Sequence, residues 1–160
     1  IPIDEYMRRC ENQIKGWEKD RERLSENKDL SHERTNEYAS YILEAMLLNK
    51  PYKIGGNVLN TGLITNLPQN ACVEVPCLVD ASGVTPTYVG ALPEVLAALN
   101  RTNINVQLLT LEAYRSRRKA DVYKAALLDP HTASELSIKD IKAMCDDLFE
   151  AHEDYIGEYK

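Results

Sequence analysis

The stretch from Gly55 to Gly90, GGNVLNTGLITNLPQNACVEVPCLVDASGVTPTYVG, decides how the rest of the chain is read. It is the part with strand character, and it holds most of the glycines. Tyr52 to Leu59 reads as a strand, with Gly55-Gly56 marking a bulge or a close backbone approach. Asn60-Thr61-Gly62 is a turn signal, with Gly62 free to take positive φ. Leu63 to Leu67 reads as a short strand closed by Pro68. Cys72-Val73-Glu74-Val75 and Cys77-Leu78-Val79 are the strongest strand signal, and Pro76, which lacks an N–H, marks a bulge or a sheet edge. Asp80-Ala81-Ser82-Gly83 turns the chain into a last strand, Val84 to Val89. The unit is a three- or four-stranded antiparallel meander.

Helical sequence flanks it. Ile3, Met7, Cys10, Ile14, Trp17, Arg21 and Leu24 recur at spacings of four and three, a narrow stripe on a long amphipathic helix over roughly the first 25 residues. Such a stripe packs on its own domain or on another subunit. Ser31 is placed as the N-cap of a second helix, with Glu33 in its first turn and an end at Asn49-Lys50 before Pro51. After Gly90, Pro93 opens a long and mostly buried helix carrying Leu92, Val95, Leu96, Leu99, Val106, Leu109 and Ala113, with a kink near Asn103. A further helix covers Lys119 to Leu128. Asp129 caps a short helix with Pro130 in its first turn, and Ser137 to Asp140 resembles a capping box before a last helix bearing Ile141, Met144, Cys145 and Leu148. The tail GEYK is expected to fray. The fold class is α+β, a small antiparallel sheet packed with helices. The whole chain, 1–160, reads as a single domain: a helical pair over 1–50, antiparallel strands over 51–90 and helices over 91–160.

Composition narrows the function classes. The chain has 160 residues and a formal net charge of −6, which argues against a phosphate-tracking nucleic-acid surface. The basic run Arg115 to Lys119 is short and lacks interleaved aromatics, so it reads as a solvated helix end. No apolar run approaches the ~20 residues of a membrane span, and no secretory signal opens the chain. The start, IPIDEYMRRC, lies inside a helix and does not open with Met, which points to a fragment or processed piece of a longer protein. Cys10, Cys72, Cys77 and Cys145 form no CxxC pair and fit a reducing, cytoplasmic compartment.

Catalytic constellations are absent from the pattern. His32, His131 and His152 have no metal-ligand spacing to a cysteine or to one another, and His131 follows a helix cap. Cys72 and Cys77 read as small packing residues. Glu74 falls on the polar face of its strand, and Asp146-Asp147 with Glu150 form a solvated acidic helix face. Gly55-Gly56 precede strand rather than helix, and there is no GxGxxG or Walker pattern. Asn57, Asn60, Asn66, Asn70, Asn100, Asn103 and Asn105 stand out because they lie in or beside apolar sequence. A buried amide is hydrogen-bonded, so these residues either satisfy loop backbone or line a polar cavity.

GNVLNTGLITNLPQNACVEVPCLVDASGVTP, VGALPEVLAALNRTNINVQLLTLEA and VYKAALLDPHTASELSIKDIKAMCDDLFEAH, together with IPIDEYMRRC and NEYASYILEAM, resemble the C-terminal part of glycoside hydrolase family 4, most of all its α-galactosidases. VEVPCLVDASGV is also similar to the LSVPxxLGxNGV segment of lactate and malate dehydrogenase C-terminal domains. The resemblance implies a two-domain enzyme that hydrolyses glycosides by an oxidation-elimination route: NAD oxidises the sugar C3 hydroxyl, Mn(II) polarises the ketone, a base removes the C2 proton, and the hydride returns after water adds. The usual pair of carboxylates has no part in it. The family's NAD fingerprint, metal-binding Cys and His, and catalytic Tyr belong to an N-terminal NAD-binding domain absent from this sequence. No catalytic, cofactor or metal residue is therefore carried over, and neither cofactor is expected to bind this piece. The resemblance gives this part the lower wall of the sugar site, with Asn57, Asn60 and Asn66 as candidates, and much of a homo-oligomer interface. Alternatives are the same family acting on α-glucosides, glucuronides or 6-phospho-glycosides, a non-catalytic oligomerisation module, and the substrate domain of a hydroxy-acid dehydrogenase.

Overall fold

A computed structural model describes residues 2–26 and 33–160. The chain divides into two compact units, residues 1–40 and 41–160. In the first, α1 (Glu5–Glu26) is a single long helix with none of its residues buried. Its predicted stripe faces outward, with Met7, Ile14 and Trp17 exposed. Acidic and basic side chains pair along its surface, Arg9 with Glu5 at 2.9 Å and Arg23 with Asp20 at 3.0 Å.

The proposed cap at Ser31 lies outside the described residues. Residues 33–38 are not helical, so Glu33 does not sit in a first helical turn, and α2 runs Ala39–Leu48. Thr35 and Asn36 are poor helix formers, and they stand where the longer helix was expected. At the other end, Asn49 takes a left-handed φ of 53°, a conformation Asn tolerates, and its Oδ1 accepts from the Ala81 N–H at 3.2 Å.

The second unit is built on one antiparallel sheet in the order β1-β2-β3, with β1 at Tyr52–Leu59, β2 at Cys72–Asp80 and β3 at Gly83–Pro86. β2 alternates cleanly: Val73, Val75, Cys77 and Val79 are buried, while Cys72, Glu74, Pro76 and Leu78 face out. This period of two is what a half-covered strand requires. The pairing Gly55↔Pro76 and Gly56↔Val75 is regular, so neither the glycines nor Pro76 makes a bulge. The glycines mark close approach instead. A Cβ on Gly56 would lie 2.6 Å from the Cys77 Sγ, and one on Gly55 would lie 3.0 Å from Glu74 Oε1.

Pro76 works in the central strand for a specific reason. In an antiparallel ladder the N–H and C=O of one residue point to the same neighbour. The Pro76 carbonyl accepts from the N–H of Thr87 at 2.9 Å and from its Oγ1 at 2.7 Å, just past the end of β3, whose last pair is Cys77↔Pro86. The missing donor thus falls where β3 has already stopped. The β2–β3 turn is tied by Asp80 Oδ1, which accepts from the Ser82 N–H at 2.8 Å.

The long α3 (Glu94–Ser116) covers the buried face of the sheet with Ala97 and Ile104, which join Ile64, Leu67, Ala71, Val73, Val75 and Cys77 in the main core. The rest of α3 corrects the expectation of a mostly buried helix. Only Ala97, Ile104 and Ala113 are buried, while Val95, Leu96, Leu99 and Leu111 are exposed. Asn100 and Asn103 are exposed too, so they line no cavity. Asn105 Oδ1 accepts from Arg101 Nε at 2.7 Å.

α4 (Lys119–Leu127), α5 (Pro130–Glu135), α6 (Ile138–Ala151) and α7 (Glu153–Ile156) complete the unit. Asp129 and Ser137 cap α5 and α6, accepting from the N–H groups of Thr132 at 2.7 Å and Asp140 at 3.3 Å. The buried Asp121 of α4 accepts from Ser116 Oγ and Lys124 Nζ, both at 2.8 Å. The tail is fixed rather than frayed. Lys160 donates its N–H to the Arg117 carbonyl and accepts from the Lys119 N–H, each at 2.8 Å. Above this pairing the Arg117 guanidinium lies between the Tyr114 and Tyr159 rings, 4.8 and 5.1 Å from their centroids.

Candidate functional site

The predicted site residues lie on and after β1. Asn60 is wholly buried at the point where the chain leaves β1. Its Nδ2 donates to the carbonyls of Ile64 at 2.9 Å, Leu67 at 3.1 Å and Pro68 at 3.0 Å, and its Oδ1 accepts from the Ile64 N–H at 2.8 Å. Its own N–H donates to the Ala71 carbonyl at 2.9 Å. One amide therefore does the work of a strand partner for the 61–71 loop. Backbone groups expected to form a ladder over Leu63–Leu67 bond to this side chain instead, and the fourth strand is reduced to a single parallel bridge, Ile64↔Gly90.

Asn66 fastens the same loop from its outer end. Its Oδ1 accepts from the Leu92 N–H at 2.9 Å, and its Nδ2 donates to the Leu92 carbonyl at 2.8 Å. Leu63 adds a third tie, its carbonyl accepting from the N–H groups of Val89 at 2.9 Å and Gly90 at 3.0 Å. Gly90 makes this path possible with φ of 86°. The result is a loop tied at Leu63, Ile64, Asn66, Leu67 and Pro68. Asn57 differs from both. It lies on the open face of the sheet, exposed and paired in register with Glu74. The three asparagines thus do not converge on one point: Asn60 and Asn66 organise backbone, and Asn57 presents its amide to solvent.

The other singled-out side chains are dispersed. Cys77 is buried against Gly56, and Cys72 is exposed. The Asp129 side chain below His131 is taken up by Thr132, which holds its pKa below the ordinary carboxylate range. Asp146 is more than a solvated acid. It accepts from Lys142 Nζ at 2.7 Å and from the Tyr123 hydroxyl, and these bonds lower its pKa and raise that of Tyr123. Burial raises the Cys145 thiol pKa. His32 lies outside the described residues.

A groove of about 360 Å³ among α3, α4, α6 and α7, walled by Tyr114, Phe149, His152, Ile156 and Tyr159, was not read from the sequence. Its aromatics come from separate elements and from the tail, so no single periodicity announces it. Among the described residues no three His, Cys, Asp or Glu side chains converge as metal ligands. No described helix is long and apolar enough to cross a membrane.

Comparison with known proteins gives consistent results. The model of a family described as "Family 4 glycosyl hydrolase C-terminal domain" matches residues 2–132. An α-galactosidase of Bacillus subtilis (strain 168) is 62% identical over all 160 residues, which span 37% of that protein. A crystal structure of a 6-phospho-α-glucosidase from gut microorganisms in complex with NAD and glucose-6-phosphate is 28% identical, with a TM-score of 0.67 over 75% of this chain and 26% of that one. A second such enzyme, in complex with NAD and Mn2+, shares the fold with a TM-score of 0.76 over 95% of this chain and 35% of its own, at 24% identity. The chain thus spans about a third of the length of the curated relative and solved structures it matches.

Proposed function

This chain belongs to the family 4 glycosyl hydrolases as their C-terminal domain, and from that premise we propose that the whole polypeptide is an α-galactosidase working with NAD and Mn(II). The observation that carries the reading is the 62% identity to an α-galactosidase, sustained over the full 160 residues. On this proposal the chain is the C-terminal partner of an NAD-binding domain in a polypeptide that acts on a small sugar and assembles as a homo-oligomer in the cytoplasm. Four free thiols and the outward apolar stripe of α1 support the last two points.

The residues present do not fit either cofactor. No metal-ligand set converges among the described residues. The paired glycines lie inside β1, where they admit Cys77 and Glu74, and not at the N-terminus of a helix where a pyrophosphate would sit. We propose that both groups are bound by the remainder of the polypeptide. This chain contributes a rigid wall. Asn60 and Asn66 tie the 61–71 loop, and Asn57, exposed on the open face of the sheet, presents its amide for a sugar hydroxyl. A wall that does not reorganise lowers the ordering cost of binding.

A second reading, a 6-phospho-glycosidase, is favoured by the likeness to the 6-phospho-α-glucosidase holding glucose-6-phosphate. Turnover of 4-nitrophenyl α-galactoside, α-glucoside and 6-phospho-α-glucoside by the whole polypeptide, with NAD, Mn(II) and a thiol reductant, separates the two. We expect the galactoside to be hydrolysed fastest. Preference for the phosphorylated substrate would transfer the assignment to the second reading.

A further inference from the structure

α2 reads ASYILEAMLL, and its one ionisable carboxylate, Glu44, is paired with Lys50 at 2.9 Å. A helix apolar all round is a helix covered all round. One side of α2 meets this condition: Ala45 is wholly buried, and Tyr41 stacks on Tyr52 with ring centroids 5.1 Å apart. The other side does not. Leu43 and Leu47, one turn apart, are 61% and 80% exposed, and Met46 beside them is 44% exposed.

Beside the exposed apolar side of α3 at Val95, Leu96 and Leu99, two further open faces are of a different kind. The open face of the sheet carries Lys53, Asn57 and Glu74 among its apolar residues, an alternation suited to water. The stripe of α1 is flanked by Asp4, Glu11, Glu18 and Asp20. Leu43, Met46 and Leu47 have no charged member among them, which is the composition of a permanently covered contact rather than a transient one.

Resting on the reading of this chain as the C-terminal part of a family 4 glycosidase, we infer that the Leu43–Met46–Leu47 face of α2 is the seat of the NAD-binding domain of the same polypeptide. Two observations select that occupant. The relatives carry most of their length outside the matched part, since the chain spans only 37% of the 62% identical one and 26% of the 6-phospho-α-glucosidase. α2 also lies within residues 2–132, the part matched by the family as a whole. The cover of a family-wide helix is then the part that accompanies it in every such relative. The placement has a mechanical consequence. α2 passes through Asn49 and Pro51 directly into β1, which ends at Leu59 just before Asn60, so a domain seated on α2 is joined to the 61–71 loop through a single strand.

Met46 supplies the test, because an exposed thioether oxidises to a sulfoxide that mass spectrometry reads. Limited peroxide oxidation is run on this chain alone and on the whole polypeptide, with oligomeric state measured by light scattering. We expect Met46 to oxidise readily in the chain alone and about tenfold more slowly in the whole polypeptide. The Leu47→Glu substitution in the whole polypeptide restores fast oxidation. Equal rates in the two proteins overturn the inference. So does protection already present in the chain alone, which assigns the face to this chain itself or to a second copy. Glycoside turnover is measured on the same whole-polypeptide sample. Protection of Met46 without turnover would sink the functional reading while leaving the seat in place, and turnover with Met46 unprotected would do the reverse.

Discussion

The 61–71 loop and the outer sides of α2 and α3 treat their side chains in opposite ways. In the loop, one buried amide answers four backbone groups, and Asn66 fastens the loop to Leu92. On the helices, Leu43, Leu47, Val95 and Leu99 stand open to solvent. The first region is complete within this chain. The second is left open within it, and its α2 part is assigned above to the rest of the polypeptide. Loop sequence here is thus the part whose polar groups are answered internally, and the regular helices are where apolar side chains are left open.

The largest effect that would break this contrast is expected at Asn60. Asn60→Ala leaves the Ile64 N–H and three carbonyls without their buried partner, and it should cost about 3–5 kcal/mol in urea unfolding of the chain. Asn103→Ala on the exposed side of α3 should change stability by no more than about 0.5 kcal/mol, in the stabilising direction, because Ala is the better helix former. Similar costs at the two sites would remove the distinction. Gly56→Ala should cost about 1–3 kcal/mol, since its Cβ would meet the buried Cys77 Sγ at 2.6 Å. Gly55→Ala should cost less, because the atom it meets, Glu74 Oε1, ends a flexible side chain.

A smaller and pH-dependent effect is expected at Asp121. Hydrogen bonds from Lys124 and Ser116 hold its pKa below the ordinary carboxylate range. A carboxylate depressed on folding stabilises the fold above its unfolded pKa, and that stabilisation is lost as pH falls through the folded value. The stability gap between the native chain and Asp121→Asn should therefore narrow on acidification below the ordinary carboxylate range, as read by thermal unfolding at a series of pH values. A gap independent of pH would show that the Asp121 charge has no part in joining α3 to α4. The smallest effect is expected for Leu47→Glu in the chain alone, within about 0.5 kcal/mol, because the side chain is already in water there.

Much of the sheet was legible in the sequence. Alternation over Cys72–Val79 gave β2, and the paired glycines correctly signalled close approach in β1. The caps at Asp129 and Ser137 were equally plain, since each is a local bond between neighbours. What failed to show was non-local. Leu63–Leu67 has strand composition, but nothing in those residues records that an amide several positions earlier takes their hydrogen bonds. Val95, Leu96 and Leu99 have core composition, and composition does not say whether the cover comes from the same chain. The tail looked ready to fray because GEYK is polar, yet its pairing with Arg117 and Lys119 depends on residues some forty positions away. At the candidate site the unusual asparagines were visible. Their separate roles were not, because an asparagine that closes a loop and one that faces a ligand are written with the same letter.

The account is tested most directly by assaying aryl α-galactoside hydrolysis with the whole polypeptide and with this chain at equal concentration, each with NAD, Mn(II) and a thiol reductant. It predicts turnover by the whole polypeptide, lost when NAD is withheld, and none by the chain alone. Hydrolysis by the chain alone, or a whole polypeptide that turns over the galactoside without NAD, would contradict it.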